Sequence, residues 1–285
     1  MNTDKLVHRP PYDMNCPVLQ VTRGCSHGKC RFCDIQEGKS FSVVPFDEIV
    51  EDIEEIAKSA TQLTRRIYLA GGNPFILPND HLIKIFDAVE ERIPTVNSYG
   101  GFARITDFAK KTDEELAELA ARGVTDITIE FMEKGQTSQD LIEQGKRLHA
   151  AGIRYTFFYL AGLAGAGKGQ QNALESARVF SEAEPDRILI VTLTPAKNWP
   201  LAEDIASGAW VPYGEREVAE EIRTFIANLT CHTNIIASHD SDVIRFDGGI
   251  PQNQQGMIEL MDNYIPKINE DAARRFRNLI HKATF

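Results

Sequence analysis

The chain has 285 residues, with 42% hydrophobic and 25% charged residues, values typical of a globular protein with a sizeable core and not of a disordered one. Lys and Arg number 31 against 41 Asp and Glu, a net charge of −10, which argues against a nucleic-acid partner because such proteins present a basic surface. No segment reaches the ~18 apolar residues that cross a bilayer, and the first residues lack an apolar signal sequence, so we expect no membrane partner and a cytoplasmic location.

Strand and helix patterns alternate along the first two thirds of the chain. Buried strands are predicted at residues 17–23, 66–70, 95–99, 125–131, 153–160 and 187–193. Helices are predicted at residues 46–59, 79–92, 112–122, 138–151 and 171–183. Asn79 is expected to cap its helix, and Thr112 to open a capping box. This alternation predicts an α/β fold around a parallel sheet, either a barrel or a doubly wound sheet.

The pattern changes after Pro195. A helix is predicted at residues 215–229, a strand at 234–237, and helices at 253–264 and 270–282. No Gly/Ser-rich or Pro-rich linker separates this part from the preceding one. We therefore expect a core at residues 10–195 and a C-terminal extension at 196–285 that packs on it.

Three of the five cysteines, Cys25, Cys30 and Cys33, lie within nine residues directly after the first predicted strand. The carboxyl ends of the strands in α/β folds carry ligands. Three thiolates can hold three irons of a [4Fe–4S] cluster and leave the fourth iron open. Sulfur ligands also suit zinc, for which His27 would be the fourth ligand. The polar residues between these cysteines do not suit three unrelated core thiols, and the pattern assigns no role to Cys16, Cys231 or His239.

The strand followed by C-x4-C-x2-C, with the aromatic Phe32 before the last Cys, resembles the radical S-adenosylmethionine (SAM) superfamily, where C-x3-C-x2-C is the commonest spacing. The 9–11 segment (Arg-Pro-Pro) ahead of the 19–25 segment (Leu-Gln-Val-Thr-Arg-Gly-Cys) is similar to small members of the coproporphyrinogen-oxidase-like branch. The resemblance implies a partial (β/α)6 TIM-like barrel with a C-terminal α-rich extension. It makes Cys25, Cys30 and Cys33 the metal ligands.

The resemblance also implies an activity and its cofactors. The open iron of a [4Fe–4S] cluster would bind SAM, and a flavodoxin- or ferredoxin-like donor would supply an electron. Reductive cleavage of SAM would give methionine and a 5′-deoxyadenosyl radical, which abstracts hydrogen from a small organic substrate. Neither the substrate nor a methyl-transfer outcome is defined by the sequence.

Cofactor contacts follow from the same resemblance. The 71–73 segment (Gly-Gly-Asn) stands where the family has a Gly-Gly-Glu-like segment that meets the SAM amino group, and Arg104 would neutralise its carboxylate. Glu130 would bind the ribose hydroxyls, while Leu160 and Gly162 would meet the adenine. The complete predicted set is Phe32, Gly71, Gly72, Asn73, Ser98, Arg104, Glu130, Leu160 and Gly162.

Two other function classes remain open from the residues alone. One is a non-enzymatic iron–sulfur electron-transfer or sensor protein, against which the missing fourth cysteine argues; the other is a zinc-binding interaction module. Residues 162–168 also match most of the phosphate-binding-loop motif, G-x4-G-K. The next position, which needs Ser or Thr to bind Mg²⁺, is Gly169. The polar 239–242 segment (His-Asp-Ser-Asp) is either a surface turn or a substrate contact.

Overall fold

The computed structural model describes residues 9–33, 40–130, 136–196, 199–242 and 244–284. The chain divides into two compact units. The first comprises Met1–Lys29 with Ile35–Tyr155, and the second comprises Cys30–Asp34 with Thr156–Phe285. In the described part of the chain, no helix combines the length and apolar composition needed to cross a bilayer.

The first unit contains a parallel arrangement of strands. Its strands are β1 (Val18–Gln20), β2 (Thr22–Arg23), β3 (Ser42–Val43), β4 (Arg66–Ala70), β5 (Ser98–Arg104) and β6 (Ile127–Glu130). Its helices are α1 (Phe46–Ser59), α2 (Asn79–Arg92), α3 (Ile105–Phe108), α4 (Asp113–Ala121) and α5 (Ser138–Ala150). The parallel order is β1-β4-β5-β6, whereas β2 and β3 form a separate antiparallel pair.

Apolar periodicity explains how the helices of this unit pack. Helix α1 begins after Pro45 and buries Ile49, Ile53 and Ile56, a spacing that places all three on one helical face. Helix α4 begins with the predicted capping box, in which the Thr112 hydroxyl accepts a hydrogen bond from the Glu115 amide. Phe86 of α2 stacks on Tyr99 of β5 with ring centroids 4.0 Å apart, so helix and strand share one core.

The second unit continues the alternation and then reverses direction at one strand. Its strands are β7 (Tyr155–Ala161), which begins at the last residue of the first unit, β8 (Arg187–Thr192), β9 (Thr233–Ala237) and β10 (Phe246–Ile250). Its helices are α6 (Gly169–Ala183), α7 (Leu201–Ser207), α8 (Glu215–Asn228), α9 (Gln254–Tyr264) and α10 (Glu270–Thr284). Strands β7, β8 and β9 are parallel neighbours, and β10 pairs antiparallel with β9. Tyr159 stacks on Phe225 of α8 with centroids 4.1 Å apart.

Most predicted strands differ from the structure by one or two residues at their ends, and two predictions differ by more. The predicted strand at residues 17–23 is divided at Val21 into β1 and β2. The predicted strand at residues 95–99 instead runs from Ser98 to Arg104, because Gly100 and Gly101 lie inside it and do not form a turn. A Cβ on Gly100 would lie 1.9 Å from the Arg66 guanidinium, so this glycine is required by a close side-chain approach.

Other differences concern caps and short elements. Asn79 is the first residue of α2 and does not cap it; its side-chain amide donates to the Glu115 carbonyl at 2.8 Å and accepts from Lys111 at 3.0 Å. Strand β6 ends at Glu130, and Phe131, predicted to end it, lies outside the described residues. In the described ranges, the sequence did not predict β3, α3, α7, β10 or the three short 3-10 helices at Pro11–Asp13, Pro74–Ile76 and Ile265–Lys267.

A buried ion pair joins the amino ends of the strands in the first unit. The Arg66 Nε lies 2.6 Å from Asp13 Oδ1, with Asp13 only 1% exposed. The same guanidinium donates to the Ser98 hydroxyl at 2.7 Å and to the Thr125 carbonyl at 3.2 Å. Removing the cation would leave a buried carboxylate without its main partner.

We therefore expect Arg66→Leu to lower the free energy of unfolding by about 3–5 kcal/mol, measured by chemical denaturation. The matched control is Arg178→Ala, which removes an exposed helical pair with Glu182 and should change stability by less than about 0.5 kcal/mol. Equal effects of the two substitutions would contradict a stabilising role for the buried pair.

Candidate active site

The glycines after β4 bring its end against the backbone of the cysteine loop. The Gly72 amide donates to the Gly24 carbonyl at 3.0 Å. A Cβ on Gly72 would lie 2.2 Å from that oxygen and 2.5 Å from the Cα of Cys25. Gly71 has a φ of +128°, and a Cβ there would lie 2.0 Å from the Thr22 hydroxyl. Only glycine permits this approach, so the pair fixes the main chain at Cys25.

Asn73 is the centre of a buried polar network next to these glycines. Its side chain, 1% exposed, donates to Asp107 Oδ2 at 2.5 Å and accepts from the Ser26 hydroxyl at 2.7 Å. Both ends of the amide are therefore engaged, and any cofactor contact by this residue would use its backbone. Asp107 was missed by sequence reasoning, although its position three residues after Arg104 is a capping-box spacing.

Arg104 and Glu130 stand side by side at the carboxyl ends of β5 and β6, where they are register partners. The Arg104 Nη2 lies 2.7 Å from Asp107 Oδ1, and the Asp107 side chain is fully buried. A cation and a carboxylate are thus presented together at one edge of the strands. Glu130 lies at the strand end assigned to it from the sequence, whereas Arg104, predicted to follow the third strand, is the last residue of β5.

Ser98 does not share this position. It is the first residue of β5, and its hydroxyl accepts a hydrogen bond from Arg66 at the opposite end of the strand. The prediction that Ser98 ends the strand and contacts the cofactor there was therefore wrong about its location. The error arose from treating the following glycines as a turn.

The three clustered cysteines form no disulfide bonds. Cys25, in the first unit, is half-buried; in the second unit Cys30 is buried, whereas Phe32 and Cys33 are half-buried. The Cys33 amide donates to the Cys30 carbonyl at 3.4 Å, which closes a tight turn.

Helix α7 holds the second half of the cysteine motif. The Leu201 amide donates to the Arg31 carbonyl at 2.8 Å, and the Arg31 Nη2 lies 2.8 Å from Asp204 Oδ1. The turn that carries Cys30 and Cys33 is therefore attached to a helix far along the chain. Sequence reasoning missed Asp204 because it predicted no helix between Pro195 and residue 215, where the structure has α7.

The donor set fits an iron–sulfur cluster by its chemistry. Three cysteine thiols close in sequence could supply the soft ligands that such a cluster requires, each on a separate iron. Within the ranges that the structure describes, no three His, Cys, Asp or Glu side chains are grouped to hold a single metal ion.

The end of β7 is fixed by a buried carboxylate. Glu221 of α8 accepts from the Gly162 amide at 3.1 Å, the Tyr159 hydroxyl at 2.8 Å and Asn172 at 2.9 Å. Burial raises the pKa of Glu221. The Tyr213 ring covers Gly162, since a Cβ there would lie 2.1 Å from it. Leu160 is buried two residues before.

In the phosphate-loop-like segment at residues 162–168, backbone amides donate hydrogen bonds to acceptors within the protein. In addition to Gly162, the Gly167 amide donates to a carboxylate, that of Glu217, at 2.5 Å. Two of the backbone amides that could bind phosphate oxygens therefore donate to carboxylates of α8 instead.

Asp242, Cys16 and Cys231 lie outside the cysteine motif, and burial affects the pKa of each. Asp242 accepts from the amide and hydroxyl of Thr192, both at 2.9 Å, and burial raises its pKa to about 7. Burial also raises the pKa of the thiols of Cys16 and Cys231, which keeps both protonated.

Comparison with known proteins identifies the family. The radical SAM superfamily model matches residues 19–167, just over half of the 285-residue chain. The comparison with curated proteins gives no significant match.

Several solved structures share the fold. Methylornithine synthase (PylB) is 14% identical with a TM-score of 0.52, and the match covers 86% of this chain and 68% of that one. Coproporphyrinogen III oxidase (HemN) from Escherichia coli is 14% identical with a TM-score of 0.52, covering 74% and 52%. The protein anSMEcpe with bound AdoMet is 12% identical with a TM-score of 0.50, covering 71% and 65%. The chain thus spans only about half of HemN and about two thirds of the others.

At these identities the structural similarity concerns the fold, and it confirms the predicted α/β class with a partial TIM-like barrel. Family membership favours the radical SAM interpretation over the electron-transfer and zinc alternatives. The chain belongs to the radical SAM superfamily and is an enzyme of that superfamily, whose members use a [4Fe–4S] cluster and SAM.

Proposed function

We propose that this radical SAM enzyme abstracts hydrogen from a small organic substrate. Cys25, Cys30 and Cys33 would hold the [4Fe–4S] cluster and leave one iron open to SAM. The observation that supports this most directly is the way the motif is held. The glycines after β4 fix the backbone at Cys25, and α7 fixes the turn that carries Cys30 and Cys33.

The cluster and SAM together supply one-electron cleavage of the sulfonium and, with it, the species that removes a hydrogen atom. The chain's residues orient the cofactor. The Arg104 guanidinium, kept in place by Asp107, neutralises the SAM carboxylate, and Glu130 accepts hydrogen bonds from the ribose hydroxyls. Leu160 and the backbone at Gly162 pack against the adenine, and Phe32 shields the cluster from water.

The remaining parts of the proposal follow from the chemistry. We assign the core to residues 10–195 and the extension to 196–285, which would exclude water from the reacting centre. A flavodoxin- or ferredoxin-like protein would donate the electron, and free thiols suit the reducing cytoplasm. The net charge of −10 favours a small-molecule substrate over nucleic acid.

Removing one proposed ligand should abolish the chemistry. After anaerobic reconstitution, the wild type should hold about four irons per chain and produce 5′-deoxyadenosine when dithionite is added. We expect Cys30→Ala to lose iron and to lower that product by about 100-fold or more, measured by iron analysis and chromatography.

The matched control is Cys231→Ala, a buried free thiol outside the motif, which should keep both iron and product formation. Retention of both by Cys30→Ala would overturn the ligand assignment. A wild-type cluster that never yields 5′-deoxyadenosine would instead favour an electron-transfer protein.

The glycine contact gives a separate prediction. Gly72→Ala places a methyl group 2.2 Å from the Gly24 carbonyl, so the main chain at Cys25 must move. We expect iron loading to fall to about half or less, with the circular dichroism spectrum preserved. Gly256→Ala adds the same methyl group in open space on α9 and should load iron normally; equal loading by both variants would refute the positioning role.

Glu130 provides a test of cofactor binding. Loss of a charged acceptor for the ribose hydroxyls should weaken binding of SAM, so we expect Glu130→Gln to raise its Kd about tenfold, measured by equilibrium binding to the oxidised holoenzyme. Glu143→Gln, on the exposed face of α5, is the control. An unchanged Kd in Glu130→Gln would remove this residue from the cofactor site.

A further inference from the structure

Asp242 is a buried carboxylate that the proposed cofactor chemistry does not use. It lies between β9 and β10 in the chain, and only 3% of the residue is exposed. Its Oδ1 accepts two hydrogen bonds from Thr192, the last residue of β8. Its own amide donates to the His239 carbonyl at 3.0 Å. The carboxylate is therefore held in one orientation against the end of a strand.

The other oxygen of this carboxylate is the unusual feature. Oδ2 is buried and has no hydrogen-bond partner among the described residues. An acceptor left unpaired in the interior is costly, and native chains contain few of them. A bound group that donates a hydrogen bond would complete the pairing of this atom.

The charged groups near Asp242 are engaged elsewhere. Arg245 pairs with Asp240 at 3.0 Å, and Arg277 pairs with Glu215. Among the described residues, Asp242 itself forms no ion pair. A buried carboxylate with no cation in contact favours a positively charged ligand, which would supply the missing counter-charge.

Polar groups complete the surroundings. The Tyr213 hydroxyl donates to the Leu193 carbonyl, and burial raises its pKa to about 12, so it adds no charge. The His239 ring is hydrogen-bonded to the Ser241 hydroxyl at 2.8 Å. Burial raises the pKa of Asp242 to about 7, although hydrogen bonds from Thr192 and from the His239 backbone, and the charge of Arg245, act in the opposite direction.

The position of the carboxylate is that of a ligand site. Thr192 is the register partner of Ala161, the residue before Gly162, and α/β folds bind ligands at the carboxyl ends of their strands. We propose that Asp242 binds a cationic nitrogen, an ammonium or amine group, of the organic substrate. This rests on the proposed function and narrows the substrate class to nitrogen bases.

The test uses infrared titration of the anaerobic holoenzyme with ethylammonium chloride as the probe. A protonated-carboxyl band with a midpoint near neutral pH should appear in the wild type and in Asp240→Asn, and be weaker in Asp242→Asn. Ethylammonium should lower that midpoint by about one pH unit or more, relative to equal sodium chloride. Ethanol, a neutral molecule of similar size, should leave it unchanged.

Thermal unfolding gives a second readout. Folding raises the pKa of the Asp242 carboxyl from the ordinary 3.8 to about 7. Between these two pH values the folded state therefore binds more protons than the unfolded state. The contribution of this carboxyl to stability therefore falls as the pH rises through that range. The Tm of the wild type should fall relative to that of Asp242→Asn between about pH 5 and about pH 8, and ethylammonium should restore part of the loss in the wild type alone.

Glu221 is a second buried carboxyl with a raised pKa, so the informative signal is the part of the band that Asp242→Asn removes. An Asp242→Asn spectrum that has lost none of the wild-type band, or a midpoint that ethylammonium does not move, would overturn the proposal. Neither readout requires cleavage of SAM. Failure of the proposed function would therefore be recognised separately, as a wild type that shows the ethylammonium effect but makes no 5′-deoxyadenosine.

Discussion

The placement of Cys25 depends on two stretches of backbone that meet with no side chain between them. The end of β4 contacts the residues before Cys25 through Gly71 and Gly72, and a single methyl group on Gly72 would overlap the Gly24 carbonyl. Backbone-to-backbone contact leaves fewer rotatable bonds than contact between side chains, so the position of Cys25 is defined more tightly than the length of its loop suggests. The polar network centred on Asn73 then limits movement of the residues that follow.

Three buried carboxylates of the two units are paired with arginines. Asp13 pairs with Arg66 and Asp107 with Arg104 in the first unit, and Glu215 pairs with Arg277 in the second. Low-dielectric surroundings favour such pairing. Glu221 and Asp242 are held by hydrogen bonds instead, and neither forms an ion pair among the described residues. Asp242 differs from Glu221 in that its Oδ2 has no hydrogen-bond partner there, which is informative because buried acceptors are rarely left without one.

The sequence allowed most of the regular elements to be predicted, because hydrophobic periodicity and capping residues are local signals. Helix α1 and strand β4 have the predicted bounds. The cysteine motif and the strand end that carries Glu130 were also recognisable. What local signals could not reveal were partners distant in the chain. Gly100 resembles a turn residue until the guanidinium of Arg66 is placed against it, and Asn79 resembles a cap until Lys111 engages its side chain. Asp204 lacked any local signal, since its partner is residue 31. The polar 239–242 segment was recognised, but the burial of Asp242 against residue 192 could not be predicted from it.

The attachment of the Arg31 turn to α7 has a consequence for biosynthesis. Translation proceeds from the amino terminus, so both halves of the cysteine motif leave the ribosome long before Leu201 and Asp204 exist. During that interval the turn between Cys30 and Cys33 lacks the partners that later hold it. A cluster inserted during translation would therefore bind thiols on a turn that α7 does not yet hold. A cluster inserted after release from the ribosome would bind them with those contacts in place.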